Sequence, residues 1–216
     1  MYEQENKKIS NGARKYLSDS ERDQLAEVIN MGAGNASTAL SKMIGRKINI
    51  SVPEVFVDKV ENAQDFIGGA DEVSTSILLK LEESIPGLML FAFSQKEACL
   101  LSKLITGEEC SADMKLNEMG SSGLLELGNI ITGASMNAFS KFLGVRIMQS
   151  IPDIATDMYG AIINSILAAI GMDSDIILVF KVAVSVENED ITGDLYFFFY
   201  PTSTKKILEI IKNKIG

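Results

Sequence analysis

Two stretches of the chain each set an acid and a carboxamide three residues apart, with a glycine four residues further on. The first holds Glu27, Asn30 and Gly34; the second holds Glu126, Asn129 and Gly133. On a helix, steps of three or four put Asp23, Glu27, Asn30 and Gly34 on one stripe, and Ser122, Glu126, Asn129 and Gly133 on another. A carboxylate can pair with a cation, and a carboxamide can donate and accept hydrogen bonds at once. The sequence has no histidine, which removes His-based triads, His-ligated metal sites and the usual general base. No glycine pattern of the P-loop or dinucleotide type follows a strand. Chemistry here must use carboxylates, amides, hydroxyls or groups that a partner brings. Glycine inside a helix costs about 1 kcal/mol relative to alanine. Gly34 and Gly133 therefore mark either the close approach of another molecule or a tight helix crossing. Without such a reason, the acid and amide would be an ordinary hydrated helix face.

The elements that carry these stripes form a duplication. Leu25 to Gly34 resembles Leu124 to Gly133 at an offset of 99 residues, and the match runs on without a gap through Ser41 with Ser140, Gly45 with Gly144 and Pro53 with Pro152. Each copy opens with a long helix. Ser18, Asp19 or Ser20 can cap the first, and Gly45 and Gly144 read as C-terminal stops. Leu25, Val28, Ile29, Gly32, Ala36, Leu40 and Met43 follow helical spacing and should face the core. Strands are expected at Lys47 to Val52, Val73 to Leu81 and Gly87 to Phe93. Their counterparts are Val145 to Ser150, Ile176 to Val186 and Gly193 to Tyr200. Amphipathic helices close the halves at Gln95 to Ile105 and Thr202 to Ile215. A further apolar helix is expected over Ala155 to Ile170, with a weaker counterpart at Glu61 to Ala70.

The expected fold is therefore α+β. Two helix–strand–strand–strand–helix units, about residues 19–107 and 118–216, share one mixed, mainly antiparallel sheet with the long helices packed on it. Residues 19–216 are expected to form a single domain behind a loose, charged N-terminal tail, residues 1–18. The length of 216 residues and a hydrophobic content of 46% suit a substantial core. A net charge of −9 argues against nucleic acid as a partner. The polar N-terminus is unlike a signal peptide and the apolar runs are too short to span a bilayer, so a cytoplasmic protein is expected. Cys99 and Cys110 are expected to be free thiols rather than a disulfide or metal site.

The two stripes also resemble a family, the CheC, CheX and FliY chemotaxis phosphatases. Their motif is Asp or Ser, three residues, Glu, two residues, Asn, twenty-two residues, Pro. Asp23, Glu27, Asn30 and Pro53 match it, and so do Ser122, Glu126, Asn129 and Pro152. Gly32-Ala-Gly-Asn-Ala36 and Ile50-Ser-Val-Pro53 are also similar to the family. Ile29 departs from it where many members have glycine, as Gly128 does here. The resemblance runs from about Leu17 to the end. Two motif copies with no added switch domain look like the CheC type; CheX-type proteins have one working site.

The resemblance implies a phosphatase acting on the aspartyl phosphate of a CheY-type response regulator. It implies no cofactor of the chain's own, with Mg2+ carried by the regulator. It gives Asn30 and Asn129 the role of orienting the attacking water, and Glu27 and Glu126 that of docking the regulator. Gly34 and Gly133 would admit the partner's backbone, and Pro53 and Pro152 would shape the chain beneath the helix. Asp157 falls where the family contacts the deamidase CheD. The rival expectation is a non-catalytic adaptor that binds phosphorylated regulator in a chemotaxis or flagellar complex.

Overall fold

The computed structural model describes residues 16–51, 53–68, 72–171 and 176–215. Helix α1 (Asp19–Ile44) starts at Ser18, whose hydroxyl accepts from the Glu21 amide while the Glu21 carboxylate accepts from the Ser18 amide at 2.6 Å. This capping box satisfies two of the amides that a helix start leaves open. Leu17 is buried, so the chain is already tied down just ahead of the helix; most of the expected tail lies outside the described residues. Helix α1 stops at Gly45, whose φ of 71° suits a residue without a Cβ. Helix α4 (Glu118–Leu143) repeats the scheme, capped by Asn117 and ended by Gly144 at φ 70°.

Between and after these helices lie β1 (Ile48–Ile50), β2 (Glu54–Lys59), a 3-10 turn (Val60–Asn62), the short α2 (Ala63–Ile67), β3 (Val73–Glu83), β4 (Gly87–Ser94) and α3 (Gln95–Thr106). The second half continues with β5 (Ile147–Gln149), β6 (Asp153–Met158), α5 (Tyr159–Ile170), β7 (Ile176–Val186), β8 (Thr192–Phe199) and α6 (Pro201–Ile215). No helix among the described residues is long and apolar enough to cross a membrane.

The eight strands among the described residues form one sheet in the order β1-β7-β8-β4-β3-β5, with β2 also on β7 and β6 also on β3. The α+β architecture with a shared antiparallel sheet is as expected, and three details differ. All the pairings are antiparallel, so the described sheet has no parallel component. Each repeat supplies four strands rather than three, because β2 and β6 follow β1 and β5 directly. The helix expected from Ala155 begins only at Tyr159, after β6.

The pairing also exchanges the halves. β1 and β2 of the first repeat lie on β7 of the second, and β5 and β6 of the second lie on β3 of the first. Strands β4 and β8 join the halves at the centre, Met89 opposite Phe197.

Both faces of the sheet are covered, which explains the unbroken apolar runs of β4 and β8. Side chains alternate along a strand. Leu195, Phe197 and Phe199 enter the core with α1, α3, α4 and α6, while Tyr196 and Phe198 enter a smaller core with α2 and α5. The motif helices thus rest on the larger core and leave their far side to solvent.

The cysteines correct the expectation of free thiols. Cys99 on α3 and Cys110 in the following segment form a disulfide. Gly107 ends α3 in the left-handed region (φ 77°), and the chain folds back until the two Cα atoms stand 5.7 Å apart, a separation suited to the bond.

Candidate active site on two equivalent helices

The apolar positions of α1 turn inward as their spacing requires: Leu25, Val28, Ile29, Gly32, Ala36 and Leu40 are buried, and Met43 is partly so. The other side is open. Asp23, Glu27, Asn30 and Gly34 are exposed on α1, and Ser122 and Glu126 on α4, while Asn129 and Gly133 are half-buried. Among the described residues, the side chains of Glu27, Asn30 and Glu126 have no hydrogen bond or ion pair. Carboxylates placed in this way are free to meet a cation from another molecule.

The tight crossing of α1 and α4 is at Gly32, where a Cβ would lie 2.6 Å from the Cα of Ser135. At Gly34 a Cβ would meet nothing within 4 Å, and at Gly133 only the carboxamide of Gln149, 3.6 Å away. Neither motif glycine is needed for the packing of the chain itself.

The motif prolines sit at a kink shared by both repeats. From Ile50 to Glu54 the chain takes four steps while its partner takes three, Val184 to Lys181. Gln149 to Asp153 against Leu81 to Leu78 repeats the count. This is a one-residue bulge. At the bulge, Ser51 donates its amide to Ala183 O at 2.9 Å, and its hydroxyl accepts from the Ala183 amide at 2.9 Å. Ser150 does the same with Lys80, at 2.9 and 3.0 Å. Pro53 and Pro152, which have no amide hydrogen, stand where the ladder is interrupted. Pro53 is buried and Pro152 half-buried.

The helix ends are stapled to the first residue of β1 and to the chain leading into β5. The Ser41 hydroxyl accepts from the Ile48 amide at 2.9 Å, the Ser37 hydroxyl donates to Ile48 O at 2.6 Å, and the Ser140 hydroxyl donates to Val145 O. Sequence reasoning missed Ser51 and Ser150, although their shared place two residues before each motif proline was visible. It also missed Met31 and Ile151, 61% and 89% exposed, which put apolar surface next to Asn30 and Pro152.

The two stripes differ in one contact. The Nε2 of Gln149, the last residue of β5, donates to the backbone oxygen of Asn129 at 3.2 Å and to its Oδ1 at 3.4 Å. The equivalent residue in the first repeat is Ile50. Asp157, expected on a helix, lies instead near the end of β6, where its exposed carboxylate accepts from the Met158 amide at 2.7 Å.

The chain is similar to known proteins in both sequence and fold. Residues 21–57, which span the first motif and its proline, match the CheC-like family model. Over 150 residues, 68% of this chain and 72% of the other, the chain is 33% identical to the CheY-P phosphatase CheC of Bacillus subtilis. The fold is that of FliY from Thermotoga maritima, with a TM-score of 0.71 at 23% identity, covering 92% of this chain and 98% of that one. CheX of Borrelia burgdorferi, solved in complex with CheY, BeF3 and Mg2+, has a TM-score of 0.54 at 18% identity and covers 81% of this chain and 99% of that one.

Proposed function

The chain belongs to the CheC-like family, and from that premise we propose that it hydrolyses the aspartyl phosphate of a CheY-type response regulator through Asn30 and Asn129. The observation that carries this reading is the display of two equivalent acid–amide pairs on exposed helix faces, beside glycines that the fold itself does not require. The likeness to a CheX solved with CheY supports a regulator of that type as partner.

In the reaction, a water oxygen bonds to phosphorus as the bond between phosphorus and the regulator's aspartyl oxygen breaks. The electron pair leaves with the carboxylate, and the water's proton passes to phosphate or solvent. Such transfers depend on positioning and charge neutralisation more than on covalent help. An inserted carboxamide accepts from the water through its oxygen or donates to a phosphoryl or water oxygen through its nitrogen. Glu27 and Glu126, exposed and unpaired among the described residues, dock a cationic side chain of the regulator. The exposed Met31 and Ile151 add apolar contact at the rim. The chain supplies no metal of its own in this scheme; the regulator brings Mg2+. A CheD-type partner would meet the exposed Asp157 at the junction of β6 and α5.

The test is phosphate release from phosphorylated regulator with the protein present at far below stoichiometric amounts. Release of many equivalents per chain is expected. Capture of the regulator without turnover would make the protein an adaptor instead.

Gly34→Leu separates docking from folding. Leucine should hold or raise the unfolding midpoint, since it exceeds glycine in helix propensity by roughly 1 kcal/mol and meets open space. Turnover at the first site, isolated by Asn129→Ala, should fall through a raised KM for the regulator. A lower unfolding midpoint with an unchanged KM would return Gly34 to a structural role.

A further inference from the structure

We infer that Gln149 is a positioning residue for the second site, fixing which end of the Asn129 carboxamide faces the regulator and making the two sites unequal. The inference rests on the proposed role of Asn129. Its starting point is a break in the repeat. The strand residue that touches Asn129 is an amide, Gln149, and its counterpart in the first repeat is apolar, Ile50.

The backbone oxygen of Asn129 sets the direction of the Gln149 amide. That oxygen can only accept, so the group 3.2 Å from it must be Nε2. The same nitrogen lies 3.4 Å from the side chain of Asn129 and can only donate there, so Asn129 must answer with Oδ1. The Nδ2 group is thereby left pointing away from β5, with both of its hydrogens unclaimed. The carboxamide can no longer exchange its ends freely. Asn30 has no such partner among the described residues and can present either end.

Gln149 makes this contact at a cost to itself. Its Oε1 is buried with no hydrogen-bond partner, an unfavourable state that an apolar residue would avoid. The Ser150–Pro152 bulge begins directly after Gln149 and anchors the end of β5 to Lys80, which holds the strand end that carries the glutamine. A site already oriented loses less freedom when it engages the transition state, so the second site should carry the larger share of turnover.

The discriminating substitution is Gln149→Glu, which keeps shape and volume but removes the donor. Asn129 must then donate Nδ2 inward and turn Oδ1 outward. With the first site silenced by Asn30→Ala, kcat should fall roughly tenfold or more, as misplacement of a reacting group does, with a much smaller change in KM. Gln149→Ile, which copies the first repeat, should lower kcat in the same background. In the Asn129→Ala background, Ile50→Gln should raise kcat by tethering Asn30, and this arm does not depend on how well the Gln149 variants fold.

Parental kcat in all three variants would overturn the inference while leaving the asparagines in place. Full turnover by Asn30→Ala/Asn129→Ala would instead remove the reading on which the inference stands.

Discussion

The double variant Asn30→Ala/Asn129→Ala is expected to lose catalysed phosphate release, leaving the regulator to its own hydrolysis. Removing one well-placed donor from a reacting centre commonly costs roughly a hundredfold or more. Alanine suits both helices and neither side chain fills a core position, since Asn30 is exposed and Asn129 half-buried. The unfolding midpoint should therefore stay within a degree or two of the parent, on the order of surface-substitution effects. Single variants should each keep the other site's turnover, with Asn129→Ala the more damaging. The measurement is steady-state phosphate release beside thermal unfolding of the same samples. If the folded double variant turns over like the parent, the chemistry lies elsewhere on the molecule.

The largest loss of stability is expected at Phe139→Ala. Phe139 on α4 is fully buried; it stacks on Phe199 of β8 with ring centroids 5.3 Å apart and meets Phe180 of β7 edge-on at 5.9 Å. Truncating a ring in such a place removes its transfer energy and leaves a cavity, together about 3–5 kcal/mol. The unfolding midpoint should fall by on the order of 10 °C for a chain of this size, and urea unfolding gives the free energy directly. A loss under about 1 kcal/mol would mean that neighbouring rings collapse into the space. The same substitution should leave kcat per folded molecule nearly unchanged, since Phe139 lies on the opposite side of α4 from Glu126.

Much of the architecture was legible because it repeats at two scales. Helical periodicity separated Leu25, Ile29 and Leu40 from Glu27 and Asn30, and the offset of 99 residues reproduced that division in α4. Strands β4, β7 and β8 announced themselves as largely apolar runs, and β3 by the apolar stretch Ile77-Leu-Leu79. β6 gave no such signal. Its residues are all exposed or half-exposed along an edge, so no alternation marks it, and the apolar residues of α5 drew the helix reading back to Ala155. β2 was hidden differently, with Phe56 and Val57 buried in succession. The two prolines immediately before β2 and β6 were the usable clue, since proline is tolerated at a strand's first residue or at a bulge.

Exchange of edge strands could not be read locally, because Glu54 finds Lys181 across more than half of the chain. The disulfide was missed for a similar reason: a spacing of eleven residues says nothing until the chain turns back after Gly107. At the candidate site, the positions of Glu and Asn were plain in the sequence. The unequal support beneath them was visible only as Ile50 against Gln149, and took its meaning from the contact.

The crossing of strands between the repeats has a consequence for how such a protein is held together. One repeat by itself would leave β3 or β7 without its outer neighbour and half of the sheet unclosed. A half-length chain could satisfy those strands only by trading them with a twin, as symmetric dimers do. Residues 107–117 tie the twins covalently, so dilution never parts them and closure does not depend on concentration. Each face is then released from the demand of being identical to the other, and a single position under one asparagine can change without threatening the assembly.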